Sequence, residues 1–154
     1  MSAKLTDCFG IEVTSDEVKQ WGFLTGAKTK EATPPHPTFW TQEFFIPPEA
    51  IQDKVVMEFG CGLGVWGRQV AEYAKTYVGI DISRYSLHTA IAQHIDWDNM
   101  LFYHTIDDRR KILALKGKVG CIFTVSFFIH QTHERFMKMA ELAYKLLEDG
   151  GLFS

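Results

Sequence analysis

The apolar run Val55-Val56-Met57-Glu58-Phe59 passes directly into Gly60-Cys61-Gly62-Leu63-Gly64. Its texture predicts a buried strand followed by a glycine-rich turn. Glycines at that point permit positive φ and let the backbone approach a ligand closely. A helix is expected from about Trp66 to Lys75, with Trp66, Val70 and Ala74 on one face. Its start offers unpaired N–H groups and the positive end of a dipole. A strand, glycine turn and helix in that order restrict the chain to a few α/β architectures.

The same alternation continues. Tyr77-Val78-Gly79-Ile80-Asp81 reads as a second strand, and Leu87, Ala90, Ile91, His94 and Ile95 recur at helical spacing. A third strand is expected over 99–104 and a brief helix around Ile112, Leu113 and Leu115. Val119 to Ile129 is nearly continuous apolar sequence, which predicts a strand buried on both faces. Thr132 is a candidate N-cap. Phe136, Ala140, Ala143 and Leu147 are expected to line the buried face of the next helix, opposite Lys138, Glu141, Lys145 and Glu148. Gly150-Gly151 then ends that helix, and Leu152-Phe153-Ser154 opens a fifth strand. Alternation of this kind gives βαβ units with right-handed crossovers, hence a doubly wound, mostly parallel sheet. Ligands bind such sheets beyond the carboxyl ends of the strands, near the topological switch point. Gly60, Asp81, Asp107 and Ser126 all follow a predicted strand.

With 154 residues, 46% apolar and 23% charged, the chain suits one globular domain. A net charge of -3 gives no bulk attraction for nucleic acid. Cys8, Cys61 and Cys121 form no CxxC pair, so neither a zinc site nor a disulfide framework is spelled out. No eighteen-residue apolar stretch predicts a membrane span, and the N-terminus lacks a signal-peptide core. A reducing, cytoplasmic setting is the expectation. Residues 1–46 differ in texture from 47–154 and are expected to form an N-terminal lid or cap. Thr33-Pro34-Pro35-His36-Pro37 interrupts regular structure there. Trp40 and Phe44 either pack on the domain edge or form a lid or acceptor pocket.

Two nucleotide cofactors compete for the glycine turn. Gly62-Leu63-Gly64-Val65-Trp66-Gly67 satisfies the dinucleotide pattern GxGxxG, which points to an NAD-binding oxidoreductase. Glu58 argues against that. A carboxylate inside an apolar strand is costly unless something pairs with it. A diphosphate nearby would add to that cost, whereas a ligand ammonium would relieve it; a protein cation or a backbone N–H is the structural alternative. Asp81, about twenty residues after the first glycine, suits ribose hydroxyls in either case.

Glu58-Phe-Gly-Cys-Gly-Leu-Gly64 followed by Val78-Gly-Ile-Asp81 resembles the first two motifs of class I S-adenosylmethionine-dependent methyltransferases. Leu101-Phe-Tyr-His-Thr-Ile-Asp107, Val125-Ser-Phe-Phe-Ile-His130 and Ala143-Tyr-Lys-Leu-Leu-Glu-Asp-Gly-Gly151-Leu are similar to the later ones, in order. Glu148-Asp149 stands where the family usually has Lys-Pro. The resemblance covers about residues 50–154 and implies a Rossmann-like sheet of order 3-2-1-4-5. It implies S-adenosylmethionine as cofactor. Gly60, Gly62 and Gly64 would cradle its methionine part, with Cys61 in the same loop lining the pocket and Glu58 near the amino group. Asp81 would take the ribose and Ile82 would pack on the adenine. Asp107 would meet the adenine amino group, with Ile106 beside it, and Ser126 would face the cofactor.

A sulfonium carries its own leaving group, so the protein mainly aligns a nucleophile for in-line displacement. Cys121 falls mid-strand and reads as an inert core thiol. His130 is the candidate general base, a structural hydrogen-bonded histidine being the alternative. His133 lies nearby, but no third ligand suggests a metal site. The Asn/Asp-Pro-Pro-Tyr/Phe and Pro-Cys signatures of DNA methyltransferases are absent, so the resemblance implies a small-molecule acceptor rather than nucleic acid or membrane. A non-catalytic cofactor-binding remnant of the fold is the alternative, because family members continue past the Gly-Gly strand. An exposed fifth-strand edge is expected to mark a truncated chain or to be covered in a homo-oligomer.

Overall fold

The computed structural model describes residues 4–19 and 46–154. Trp40 and Phe44 lie outside the described residues. A short antiparallel hairpin, β1 (Lys4–Thr6) and β2 (Glu12–Thr14), precedes a five-stranded sheet. The sheet strands are β3 (Val55–Phe59), β4 (Thr76–Asp81), β5 (Met100–His104), β6 (Val119–Phe123) and β7 (Leu147–Phe153). The helices are α1 (Pro48–Ile51), α2 (Gly67–Ala71), α3 (Arg84–Gln93), α4 (Arg109–Leu113) and α5 (His133–Leu146).

All sheet pairings are parallel, in the order β5-β4-β3-β6-β7. Counted from β3, that is 3-2-1-4-5; the hairpin ahead of the sheet offsets the numbering. The order reverses between β3 and β6, the two strands whose carboxyl ends flank the switch point.

Strand alternation gives the sheet two apolar faces. Met57, Phe59, Val78, Ile80 and Ile122 pack against Ile112 of α4, Met139, Leu142 and Leu146 of α5, and hairpin residues Phe9, Ile11 and Val13. Val56, Tyr77, Cys121 and Phe123 face the other way, against Ile51 of α1 and Val70, Ala71 and Ala74 at α2. Burying both faces of a parallel sheet is what near-continuous apolar strands are for.

Three sequence expectations need correction. The apolar run from Val119 is a strand only to Phe123. Thr124 N–H still donates to the Ser154 carbonyl, but Ser126 turns to φ 53° and Phe128–His130 forms a 3-10 turn. The buried stripe of α5 is Met139, Leu142, Ala143 and Leu146, rotated from the expected one. The helix ends at Leu146, so Leu147 and Glu148 fall in β7, where Glu148 pairs with Lys54. Gly150-Gly151 do not end the helix but lie inside β7, where Gly150, at φ 77°, sits at the β6–β7 register shift between Val119 and Cys121. Thr132 does cap α5, its hydroxyl accepting from Arg135 N–H at 3.3 Å.

Candidate functional site

At the carboxyl edge of the sheet lies a cavity of about 240 Å³. The strand ends supply Gly60 and Gly62 after β3, Asp81 and Ile82 at β4, Thr105 after β5, and Val125, Ser126 and Phe127 after β6. His130 and Gln131 continue the wall into Arg135 and Met139 of α5. The hairpin closes the other side with Asp7, Phe9, Ile11 and Val13. Phe9 stands edge-on to Phe59, with ring centroids 5.2 Å apart, which docks the hairpin onto the sheet.

The three glycines of the turn do different work. Gly62, at φ 52°, has nothing within 4 Å of where a Cβ would stand. Its amide donates to Asp81 Oδ2 at 2.9 Å. A Cβ on Gly60 would strike the Phe127 ring, and one on Gly64 would strike Phe102 at 2.7 Å. Gly60 and Gly64 therefore answer to packing by protein side chains, and Gly64 does not line the cavity.

Asp81 is buried and fastens the turn. Oδ1 accepts from Ser83 N–H at 2.8 Å while Oδ2 accepts from Gly62 N–H. Burial pushes its carboxyl above the ordinary range, and these two amides pull the other way. Each oxygen can accept a further bond. Thr105 is 3% exposed and lines the cavity, and its hydroxyl oxygen has no hydrogen-bond partner among the described residues. A buried hydroxyl left unpaired costs free energy that a ligand would recover.

Other candidates fall elsewhere. Glu58 is 1% exposed and lies off the cavity, its carboxyl accepting a short hydrogen bond from the Tyr77 hydroxyl. Burial pushes its pKa to about 8. The predicted need for a ligand ammonium at Glu58 is thus met by a phenol and a proton, and Glu58 no longer separates the two cofactor classes. Cys61 packs against Gly79, and burial pushes its thiol well up. Cys121 is fully buried, its thiol pushed up to about 12. Asp107 turns outward to Arg84, at 2.7 Å, and Ile106 packs against the core beside it. Gly60, Gly62, Asp81, Ile82, Ser126 and His130 are the sequence-selected residues that the cavity gathers.

The profile of a methyltransferase domain matches residues 56–151. The chain belongs to the methyltransferase domain family. No curated protein sequence matches it. Solved structures of similar fold include phosphoethanolamine N-methyltransferase 1 of Haemonchus contortus, in complex with phosphoethanolamine and S-adenosylhomocysteine, at TM-score 0.66 and 14% identity. That likeness covers 86% of this chain and 30% of the Haemonchus chain. The DhpI–SAH complex follows at TM-score 0.60 and 16% identity, covering 88% of this chain and 67% of that one. The PH0226 protein of Pyrococcus horikoshii stands at TM-score 0.60 and 15% identity, covering 92% and 67%. This methyltransferase domain thus spans under a third of the Haemonchus enzyme and about two-thirds of the other two. Among its described residues no helix is long and apolar enough to cross a membrane.

Sequence reasoning missed the hairpin wall of the methyltransferase domain, Thr105 and Arg135. Asp7 and Gly10 flanking a turn between two short strands are a readable signal in hindsight. Asp7 Oδ1 accepts from both Phe9 and Ile11 N–H at 2.9 Å, and Gly10 takes φ 75°.

Proposed function

We propose that the chain is an S-adenosylmethionine-dependent methyltransferase domain acting on a small-molecule acceptor. The observation that carries this reading is the open backbone at Gly62, tied to Asp81 and facing the same cavity as the orphan Thr105 hydroxyl. These residues fit a nucleoside bearing a flexible amino-acid arm. Gly62 leaves room for the arm, the free lone pairs of Asp81 suit ribose hydroxyls, and Ile82 offers an apolar surface to the base. Thr105, rather than Asp107, is the side chain available to the base edge.

When bound, S-adenosylmethionine supplies a methyl group on a sulfonium, so no enzyme nucleophile is called for. The protein's part is alignment. Ser126 is held in left-handed backbone at the end of β6, a strain that non-glycine residues adopt at a cost and that concentrates at functional sites. It sets the β6 side of the cavity beside Gly60 and Gly62. His130 lines the cavity and is the group to accept a proton from an acceptor hydroxyl or amine. The hairpin wall, within the proposed N-terminal cap of residues 1–46, keeps water from the apolar side. Three buried free cysteines fit a reducing, cytoplasmic compartment. Small acceptors suit a cavity of this size; phosphoethanolamine, bound by the Haemonchus structure, is of that class.

Isothermal titration with S-adenosylhomocysteine and with NAD tests the cofactor assignment. Binding of the first and not the second is expected, and the reverse overturns it. Methyl transfer from labelled S-adenosylmethionine to a panel of small acceptors then separates an enzyme from a binding module.

A further inference from the structure

With Glu58 turned away, the cavity still holds a buried carboxylate that the cofactor assignment does not use. Asp7 is 4% exposed and lines the wall opposite the strand ends. Its Oδ1 is spent on the hairpin turn, accepting from Phe9 and Ile11 N–H. Oδ2 has no hydrogen bond among the described residues. Arg135, one turn into α5, lines the same cavity. One Nη2 contact, 3.1 Å to Glu17 Oε1, engages part of its guanidinium. A guanidinium has five N–H donors in a fixed fork, so donors remain. Asp7 and Arg135 are close enough for the arginine's charge to favour the ionised carboxyl, together with Arg109, against the effect of burial. They make no direct ion pair with each other among the described residues. Two opposite charges in one largely apolar cavity, each with bonding capacity left over, form a dipolar receptor. Apolar Phe9, Ile11 and Met139 lie around them.

The geometry points to Asp7 and Arg135 as a subsite for a zwitterion: an ammonium group taken by Asp7 Oδ2 and a carboxylate by Arg135. This rests on the reading of the cavity as a methyl-transfer site, and extends it to the chemical class of what binds beside the glycine turn. An amino-acid head group of this kind has two sources, an amino-acid acceptor or the amino-acid arm of the cofactor itself. Glu17 holds Arg135 in place from the helical residues that follow β2, so the hairpin and α5 meet through the subsite.

Calorimetric titration of the full chain with L-methionine tests it, using 3-(methylthio)propylamine and 4-(methylthio)butanoate as probes with only one of the two charges. L-Methionine is expected to bind at least tenfold tighter than either. Asp7→Asn keeps an acceptor for the two hairpin amides but loses the charge, and should bring L-methionine down to the level of the carboxylate probe. Arg135→Gln should bring it down to the level of the amine. Repeating the titration on protein saturated with S-adenosylhomocysteine separates the sources. Retained binding assigns the subsite to an acceptor. Competitive displacement, with both variants weakening S-adenosylhomocysteine but not 5′-methylthioadenosine, assigns it to the cofactor arm. Affinity for 5′-methylthioadenosine, which lacks the arm, also reports whether each variant is folded. The subsite is overturned if L-methionine gains nothing over its single-charge analogues, or if folded variants keep its affinity within twofold. A wild-type chain that ignores both nucleosides sinks the methyl-transfer reading instead, while the L-methionine comparison still decides the subsite.

Discussion

Asp81 and Gly62 act as one unit, because the carboxylate holds the amide of the residue that leaves room for a ligand. Asp81→Ala removes the acceptor of two backbone N–H groups and of any ribose hydroxyl. Charged hydrogen bonds contribute about 1.5–3 kcal/mol each. S-adenosylhomocysteine affinity is therefore expected to fall by at least tenfold by calorimetry; unchanged affinity in a folded variant would remove the ribose assignment. Gly62 and Gly64 make a sharper pair. Gly62→Val points into open space and costs roughly 1–2 kcal/mol of left-handed strain, so binding should vanish while the fold persists. Gly64, at φ 70°, carries the same left-handed strain, and Gly64→Ala also meets Phe102, so overpacking of about 1–3 kcal/mol should appear on top of that strain in urea denaturation. Equal stability loss in both would contradict the division of labour. Glu58 gives a pH signature. Its folded pKa of about 8 lies above the ordinary glutamate value of 4.5, so the folded state binds the extra proton between those values. Stability should fall as pH rises from about 4.5 to 8, by something on the order of a few kcal/mol at most. Glu58→Gln, which keeps an acceptor for Tyr77, should flatten that slope in denaturation curves taken at pH 5 and pH 8.

The elements were legible where period and length agreed. β3, β4 and β5 fall close to their expected spans, because each is a short apolar run closed by glycine, aspartate or a polar turn. The run from Val119 misled because aromatic and β-branched residues serve a 3-10 turn lining a cavity as well as they serve a strand. Composition alone does not reveal the left-handed Ser126 that ends it. The face of α5 misled because Leu147 looks helical in sequence yet pairs with Val119. At the cavity, the place of Asp81 in the lining was legible from its offset, whereas the place of Glu58 off the lining was not. Its strand neighbour Tyr77 supplies the hydroxyl, and only cross-strand register could reveal that. The hairpin is the element with the plainest test. Phe9→Ala should cost about 3 kcal/mol in urea denaturation and loosen the cavity wall. Unchanged stability would mean the hairpin is not docked on Phe59.

At the scale of the molecule, a ligand that touches β3, β4, β5 and β6 at once ties the two halves of the sheet together. Saturating S-adenosylhomocysteine at about 100 times its Kd should raise stability by about 2.7 kcal/mol, with NAD raising it not at all. A melting curve indifferent to both would leave the cavity without its proposed nucleoside.

The parallel order of the sheet has a consequence for how the chain comes together. β3 is the central strand, beside β4 on one edge and beside β6 on the other, with Val56 next to Cys121. The β4 partner arrives soon after β3 in the chain, but the β6 partner arrives only after β4, β5 and the helices α2, α3 and α4. Such distant pairings carry a loop-closure cost before they return any burial, and they slow folding. During synthesis, one edge of Val55–Phe59 therefore waits unpaired while the first half of the sheet is already assembled. That interval, rather than the finished domain, is when this sequence is most open to pairing with the wrong strand.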